Sequence, residues 1–231
     1  MIKAIIFDLD HTLFDRYATL REVAKNLRFK LPVNPNLSDS DIADIMISAD
    51  KLKVHRGWDE MERYIFEETP LFSKKLEKYS YQNFILEQFH NIAVPFEFVK
   101  PMLEKFKADG YKLGVITNGR PGLQEKKINM IGLDGVFDEV IIGGQYGCPK
   151  PSIKPFLMMA ERLKTSPNEM LYVGDNPIND VDASRKAGYI PVYVNTVGRW
   201  SIPEIPQCEY QIETLKELPK LIDKLNYNTN F

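Results

Sequence analysis

The sequence predicts an α/β fold: a doubly wound, Rossmann-like parallel sheet with an inserted all-helical domain. Three observations predict it. From residue 95 onward, short runs rich in Ile, Val and Leu alternate with amphipathic stretches, which is the rhythm of a parallel sheet with helical crossovers. The chain opens on one more such run, Ile2 to Phe7, with the length and Ile content of a strand buried on both faces. Between them, residues 15–94 show helical spacing and no strand-like run. The expected division is therefore an α/β core from 1–14 and 95–231, with a helical domain at 15–94.

The totals bound the class. A chain of 231 residues suffices for one large domain or a core with a smaller module. With 44% hydrophobic and 27% charged residues, it reads as a soluble globular protein. A net charge of -2 gives no electrostatic ground for a nucleic-acid partner. Cys148 and Cys208 lie far apart, match no metal spacing, and read as free thiols in a reducing cytoplasm. The apolar start runs into acids too soon for a secretory signal. No segment approaches the roughly 20 apolar residues of a membrane helix.

The elements follow in order. Leu20, Val23, Ala24 and Leu27 mark a first helix from Arg16 to Phe29. Ser38-Asp39-Ser40-Asp41 starts a second, carried by Ile42, Ile45, Met46, Ala49 and Leu52. Trp58 to Glu68 and Tyr81 to Asn91 are the third and fourth, and short joints between the four suggest a small bundle. The core resumes with a helix over Phe98–Asp109, Pro101 in its first turn and Gly110 at its stop. Lys112–Thr117 is a strand, Gly122–Ile131 a helix, Glu139–Ile142 a strand and Ile153–Leu163 a helix. Met170–Val173 is a strand ending in Gly174-Asp175, Ile178–Ala187 a helix, Pro191–Val194 a fifth strand, and Thr214–Leu225 the last helix.

Polar residues at the strand ends mark where chemistry would sit. Asp8 ends the first strand, with Asp10 two residues on; burying such a carboxylate costs solvation unless a cation or donors meet it. Thr117-Asn118-Gly119 ends the second strand, and Asp175 the fourth, with Asp180 beyond. Lys150 lies between two prolines that stiffen its segment. Each has an ordinary reading alone: a turn and a cap for Asp8 and Asp10, a turn for Thr-Asn-Gly, a solvated lysine, a first-turn helix acid. Parallel strands would bring all these ends to one rim, where open α/β sheets bind ligands.

Asp8-Leu9-Asp10-His11-Thr12, Thr117-Asn118-Gly119, Lys150-Pro151 and the stretch from Gly174-Asp175 to Asp180 together resemble the four motifs of the haloacid dehalogenase superfamily of hydrolases. The resemblance spans essentially the whole chain, and residues 15–94 fall where that family carries a helical cap. It implies Mg²⁺ held by the Asp8 and Asp175 carboxylates and the Asp10 backbone carbonyl, with Asp180 steadying the site from behind. It implies Asp8 as nucleophile and Asp10 as general acid and base, with Thr117, the Asn118 N–H and Lys150 binding the phosphoryl oxygens. His11 stands where many members have Gly and takes no catalytic role.

The second aspartate favours phosphate chemistry over dehalogenation. The activity so implied is a phosphatase acting on a small phosphomonoester, such as a nucleoside monophosphate, a sugar phosphate or phosphoglycolate. A phosphomutase is the alternative, followed by a 2-haloacid dehalogenase or a non-catalytic binding protein. Within the cap, Lys51, Lys53, His55, Arg56 and Trp58 are candidate readers of the leaving group, although a basic cluster on a helix is commonly a solvated face. Trp200 lies near the pocket mouth or covers the sheet edge.

Overall fold

A computed structural model describes residues 1–53, 56–195 and 204–228. It divides into two compact units, Met1–Phe14 with Pro95–Phe231, and Asp15–Val94. The fold is α/β, as the sequence predicts.

The first unit is built on a parallel sheet of six strands: β1 (Ala4–Phe7), β2 (Lys112–Thr117), β3 (Glu139–Ile142), β4 (Met170–Gly174), β5 (Ile190–Val194) and β6 (Tyr210–Ile212). Their order is β3-β2-β1-β4-β5-β6. Ile5 pairs with Leu113 of β2 on one side and Leu171 of β4 on the other. The first strand is therefore central, which explains why it is apolar at every position and fully buried. Ala4 and Ile6 belong to one face, in a cluster with Phe156, Met159 and Tyr172. Ile5 and Phe7 alternate to the other face and are equally buried.

Strand β6 is a correction to the five strands read from the sequence. It has three residues and pairs only with β5, at the sheet edge. An edge strand this short leaves too little alternation to be seen.

The second unit carries helices α1 (Arg16–Lys30), α2 (Asp39–Lys53), α3 (Trp58–Glu68) and α4 (Ser80–Phe89). Asp15 caps α1 by accepting from the Ala18 N–H at 2.8 Å. Ser38 and Asp41 cap α2 reciprocally: Asp41 accepts from the Ser38 N–H at 2.8 Å, and Ser38 Oγ from the Asp41 N–H at 3.1 Å. Buried Glu62 caps α4 by accepting from the Tyr79 and Gln82 N–H groups. The ends of the unit meet, since the Asp15 N–H donates to the Val94 carbonyl at 3.0 Å.

The core of this unit holds an ion pair. The Arg16 guanidinium grips Asp50 at 2.8 Å, both side chains are buried, and Arg16 lies 4.9 Å from the centre of the Phe89 ring. Removing one member of a buried pair costs more than replacing both by apolar residues. Arg16→Met should therefore lower the unfolding free energy by about 3–5 kcal/mol, and Arg16→Met with Asp50→Leu should recover most of it. Urea denaturation of both variants checks this. Equal losses would assign the cost to packing, not to the lost countercharge.

Candidate active site

In the first unit the parallel strands deliver their carboxyl ends to one rim. Asp8 follows β1, Thr117 ends β2 with Asn118 next, and Asp175 follows Gly174 at the end of β4. The Asp8 N–H continues the ladder by donating to the Val173 carbonyl at 2.9 Å, so the backbone of Asp8 is still part of the sheet. Its position is therefore rigid. After Asp8 the chain turns, with His11 in the left-handed region at a φ of 65°. That conformation favours glycine and is tolerated by histidine.

Lys150 is the hub. Its Nζ donates to Asp8 Oδ1 at 2.7 Å, to Asp180 Oδ1 at 2.6 Å and to the Tyr172 hydroxyl at 2.7 Å. The Tyr172 hydroxyl in turn donates to the Ile116 carbonyl at 2.9 Å. Asn118 places Lys150 by a two-way clasp: its amide donates to the Lys150 carbonyl and its carbonyl accepts from the Lys150 N–H, both at 2.8 Å. The second and third motifs are thus held together by an Asn side chain.

Asp180 arrives on a wide helical turn, Pro177–Asp182, in which the Val181 N–H reaches the Asn176 carbonyl five residues back. The sequence reading has an ordinary helix start there. Asn176 opens this turn by accepting from the Ile178 and Asn179 N–H groups at 3.0 and 2.9 Å, and Asp180 Oδ2 accepts from the Asn176 N–H at 2.9 Å. Gly174 leaves the room: a Cβ there would lie 2.5 Å from the Asp180 carboxyl carbon.

The carboxylates of Asp8, Asp175 and Asp180 offer oxygens within 4.8 Å of one another, and all three residues are buried. Lys150 is a cation bonded to two of the three, Asp8 and Asp180. Burial, joined by the charges of Asp180 and Asp10, pushes the Asp8 carboxyl up to about 7 against the pull of Lys150. Burial and the neighbouring Asp180 and Asp8 hold the Asp175 carboxyl well above the usual carboxylate range. Burial works against the charge of Lys150, but Asp180 and Asp8 outweigh it and keep this lysine above its ordinary value. Asp175 Oδ2 is buried with no hydrogen-bond partner. An all-oxygen donor set with surplus negative charge and an orphaned oxygen fits a hard divalent cation.

The Asp10 carboxylate is not in that trio. It meets Lys127 Nζ at 2.8 and 2.9 Å and Gln124 Nε2 at 3.0 Å. Both partners lie on α6 (Leu123–Met130), which joins β2 to β3, whereas α5 (Val99–Ala108) precedes β2. Of the candidate readers, Lys51, Lys53, Arg56 and Trp58 lie in the second unit. Lys51 stands over the Tyr17 ring at 5.0 Å and Lys53 over the Tyr64 ring at 5.1 Å, while Arg56 is exposed. His55 and Trp200 lie outside the described residues.

The sequence matches the model of the haloacid dehalogenase-like hydrolase family over residues 5–194. The chain belongs to that family. It is 28% identical to a glyceraldehyde 3-phosphate phosphatase of Methanocaldococcus jannaschii, over 97% of this chain and 99% of that one. A phosphoglycolate phosphatase of Aquifex aeolicus is also 28% identical, over 81% and 82%. Among solved structures, a phosphatase of the same family from Thermococcus onnurineus superposes with a TM-score of 0.61 at 27% identity, covering 96% and 98% of the two chains. No helix among the described residues is long and apolar enough to cross a membrane.

Three residues of this hydrolase's site were missed in the sequence: Tyr172, Gln124 and Lys127. Tyr172 is hidden within an apolar strand, where only its hydroxyl signals a need for a partner. Gln124 and Lys127 had a visible signal, because they fall in line with Ile128 and Ile131 on the buried stripe of their helix.

The raised pKa of Asp8 predicts a pH dependence once divalent cations are chelated. The folded value lies above the unfolded one, so the contribution of Asp8 to stability is complete below 3.8 and is lost as pH rises through about 7. Under chelation, Asp8→Asn should melt above wild type at about pH 8, and the gap should close towards about pH 4. Scanning calorimetry at several pH values checks this; a gap independent of pH would show that Asp8 carries no such burden.

Proposed function

We propose that this hydrolase is a Mg²⁺-dependent phosphatase that removes the phosphate of a small, cytoplasmic phosphomonoester through an aspartyl-phosphate on Asp8. One observation carries the proposal. A buried carboxylate fixed to the sheet at Asp8 shares one lysine and one cluster of acids, while a second carboxylate, Asp10, is held apart by its own donors. Separate settings for two carboxylates are what a nucleophile and a proton carrier require.

The chemistry follows from the atoms. Lys150 engages Asp8 Oδ1, which leaves Oδ2 to attack phosphorus. As that bond forms, the ester P–O bond breaks and the leaving oxygen takes a proton from Asp10. Water then attacks phosphorus and gives its proton to Asp10, and the bond to Asp8 breaks to return a free carboxylate and inorganic phosphate. Lys150, the Thr117 hydroxyl and the Asn118 N–H stabilise the phosphoryl oxygens during both steps. Asp8, Asp175 and the Asp10 carbonyl would hold Mg²⁺, with Asp180 as the acid behind them. Bound there, the ion supplies the positive charge that neutralises these carboxylates and the transferring oxygens.

We assign recognition of the leaving group to the helical unit, as a cap on the α/β core. The names of the two relatives favour a two- or three-carbon phosphate over a nucleotide.

Phosphate release from a panel of small phosphomonoesters, with Mg²⁺ and with chelator, tests the proposal. Wild type should turn over only with the metal, and Asp8→Asn should fall to the level of the buffer blank while keeping its melting transition. Near-normal rates in Asp8→Asn would remove Asp8 as nucleophile. Turnover that ignores chelation would remove the metal.

A further inference from the structure

Asp10 is a partly exposed carboxylate held from the interior of the protein. Its side chain is 25% exposed, whereas that of Lys127, bonded to both its oxygens, is 5% exposed. Lys127 therefore approaches Asp10 from inside the protein. A lysine buried on a helix is costly unless its charge is met, and the preceding residue, Lys126, is exposed in the ordinary way. Lys127 Nζ also lies 5.4 Å from the centre of the Phe14 ring, within reach of a cation–π contact. Gln124, one turn earlier on the same face, is 1% exposed. Its Nε2 donates to Asp10 Oδ2 at 3.0 Å, Thr117 Oγ1 at 2.7 Å and the Asn118 carbonyl at 2.9 Å. Gly119 has a φ of 128°, and a Cβ there would come 3.0 Å from the Gln124 side chain. The turn after β2 is shaped around this glutamine.

From this geometry we infer that Lys127 and Gln124 are positioning residues for proton transfer: they fix the orientation of the Asp10 carboxylate, which exchanges a proton with the leaving oxygen. The inference rests on the reading of Asp10 as general acid and base. Neither residue need touch substrate. Lys127 holds both oxygens and so sets the plane of the carboxylate. Gln124 ties that carboxylate to Thr117, so the proton carrier and a phosphate-binding hydroxyl share one anchor. A proton carrier loses much of its worth when it is misplaced by even an ångström. A clamp of two donors on a short side chain removes that freedom.

The test uses two esters of similar shape and different leaving groups. Phenolate leaves poorly and gains from a proton, whereas 4-nitrophenolate leaves well without one. kcat/KM is the proper readout, because it reports the step in which the leaving oxygen departs. In Asp10→Asn, kcat/KM for phenyl phosphate should fall much further than for 4-nitrophenyl phosphate. Lys127→Met should show the same bias, losing on the order of tenfold more on phenyl phosphate, a part of the 10²–10⁴ that general acid–base catalysis supplies. Lys127→Arg should recover part of the loss. Gln124→Met, of similar length, gives an independent variant if Lys127→Met fails to melt cooperatively. Equal losses on both esters in Lys127→Met and Gln124→Met, or wild-type rates on both, would overturn the inference while leaving Asp10 in place. Absence of the bias in Asp10→Asn itself would instead overturn the acid–base reading beneath it.

Discussion

Asp8, Asp175 and Asp180 set three carboxylates within 4.8 Å of one another, in a place the sheet has already stripped of water, and one lysine stands bonded among them. Carboxylates so placed either keep their protons or share a cation. The rest of the site can be understood as support for that choice. Lys150 must be where it is, so Asn118 holds its backbone from both sides. Asp180 must reach the strand end, so Gly174 gives up its side chain and Asn176 opens a wide turn. Tyr172 must satisfy Lys150 from within the sheet, and its hydroxyl reaches the Ile116 carbonyl to do so. The crowded negative charge that makes the bare cluster costly is the same charge that a hard cation would neutralise.

The fold supplies the rigidity this needs. Three neighbouring strands, β2, β1 and β4, pair in parallel with Phe7 level with Val115 and Val173, so their carboxyl ends fall within two residues of one another. Each then places one polar group just past its last ladder position. The sheet is an unyielding support, so the distances among these groups follow from strand register and not from loop conformation. The wide turn and the Asn clasp adjust only the pieces that arrive from outside the sheet.

That division also explains what could be read in the sequence. Asp8 is legible because it ends an almost unbroken apolar run with a carboxylate, and Asn118 and Asp175, at the ends of two further strands, gain weight beside it. Asp10, Lys150 and Asp180 are legible only beside them, as members of an ordered set. Lys127 and Gln124 are easily passed over because helices routinely carry lysine and glutamine, and only their alignment with the apolar stripe of α6 marks them as buried. Tyr172 escapes because an aromatic in a buried strand needs no further explanation. Strand β6 escapes because three edge residues carry no period. In general, residues whose role lies along the chain show themselves, and residues whose role is to meet something distant do not.

The junction of the helical unit has a wider consequence. The Asp15 N–H meets the Val94 carbonyl, and on the α/β side Phe14 bridges Pro95. The chain therefore departs and returns at one point, and the sheet is the same whatever happens between. Such a junction places no demand on the length, composition or topology of what it carries. In evolutionary terms the insert is a replaceable part: a lineage can exchange or enlarge it without disturbing the strand ends that carry Asp8, Thr117 and Asp175.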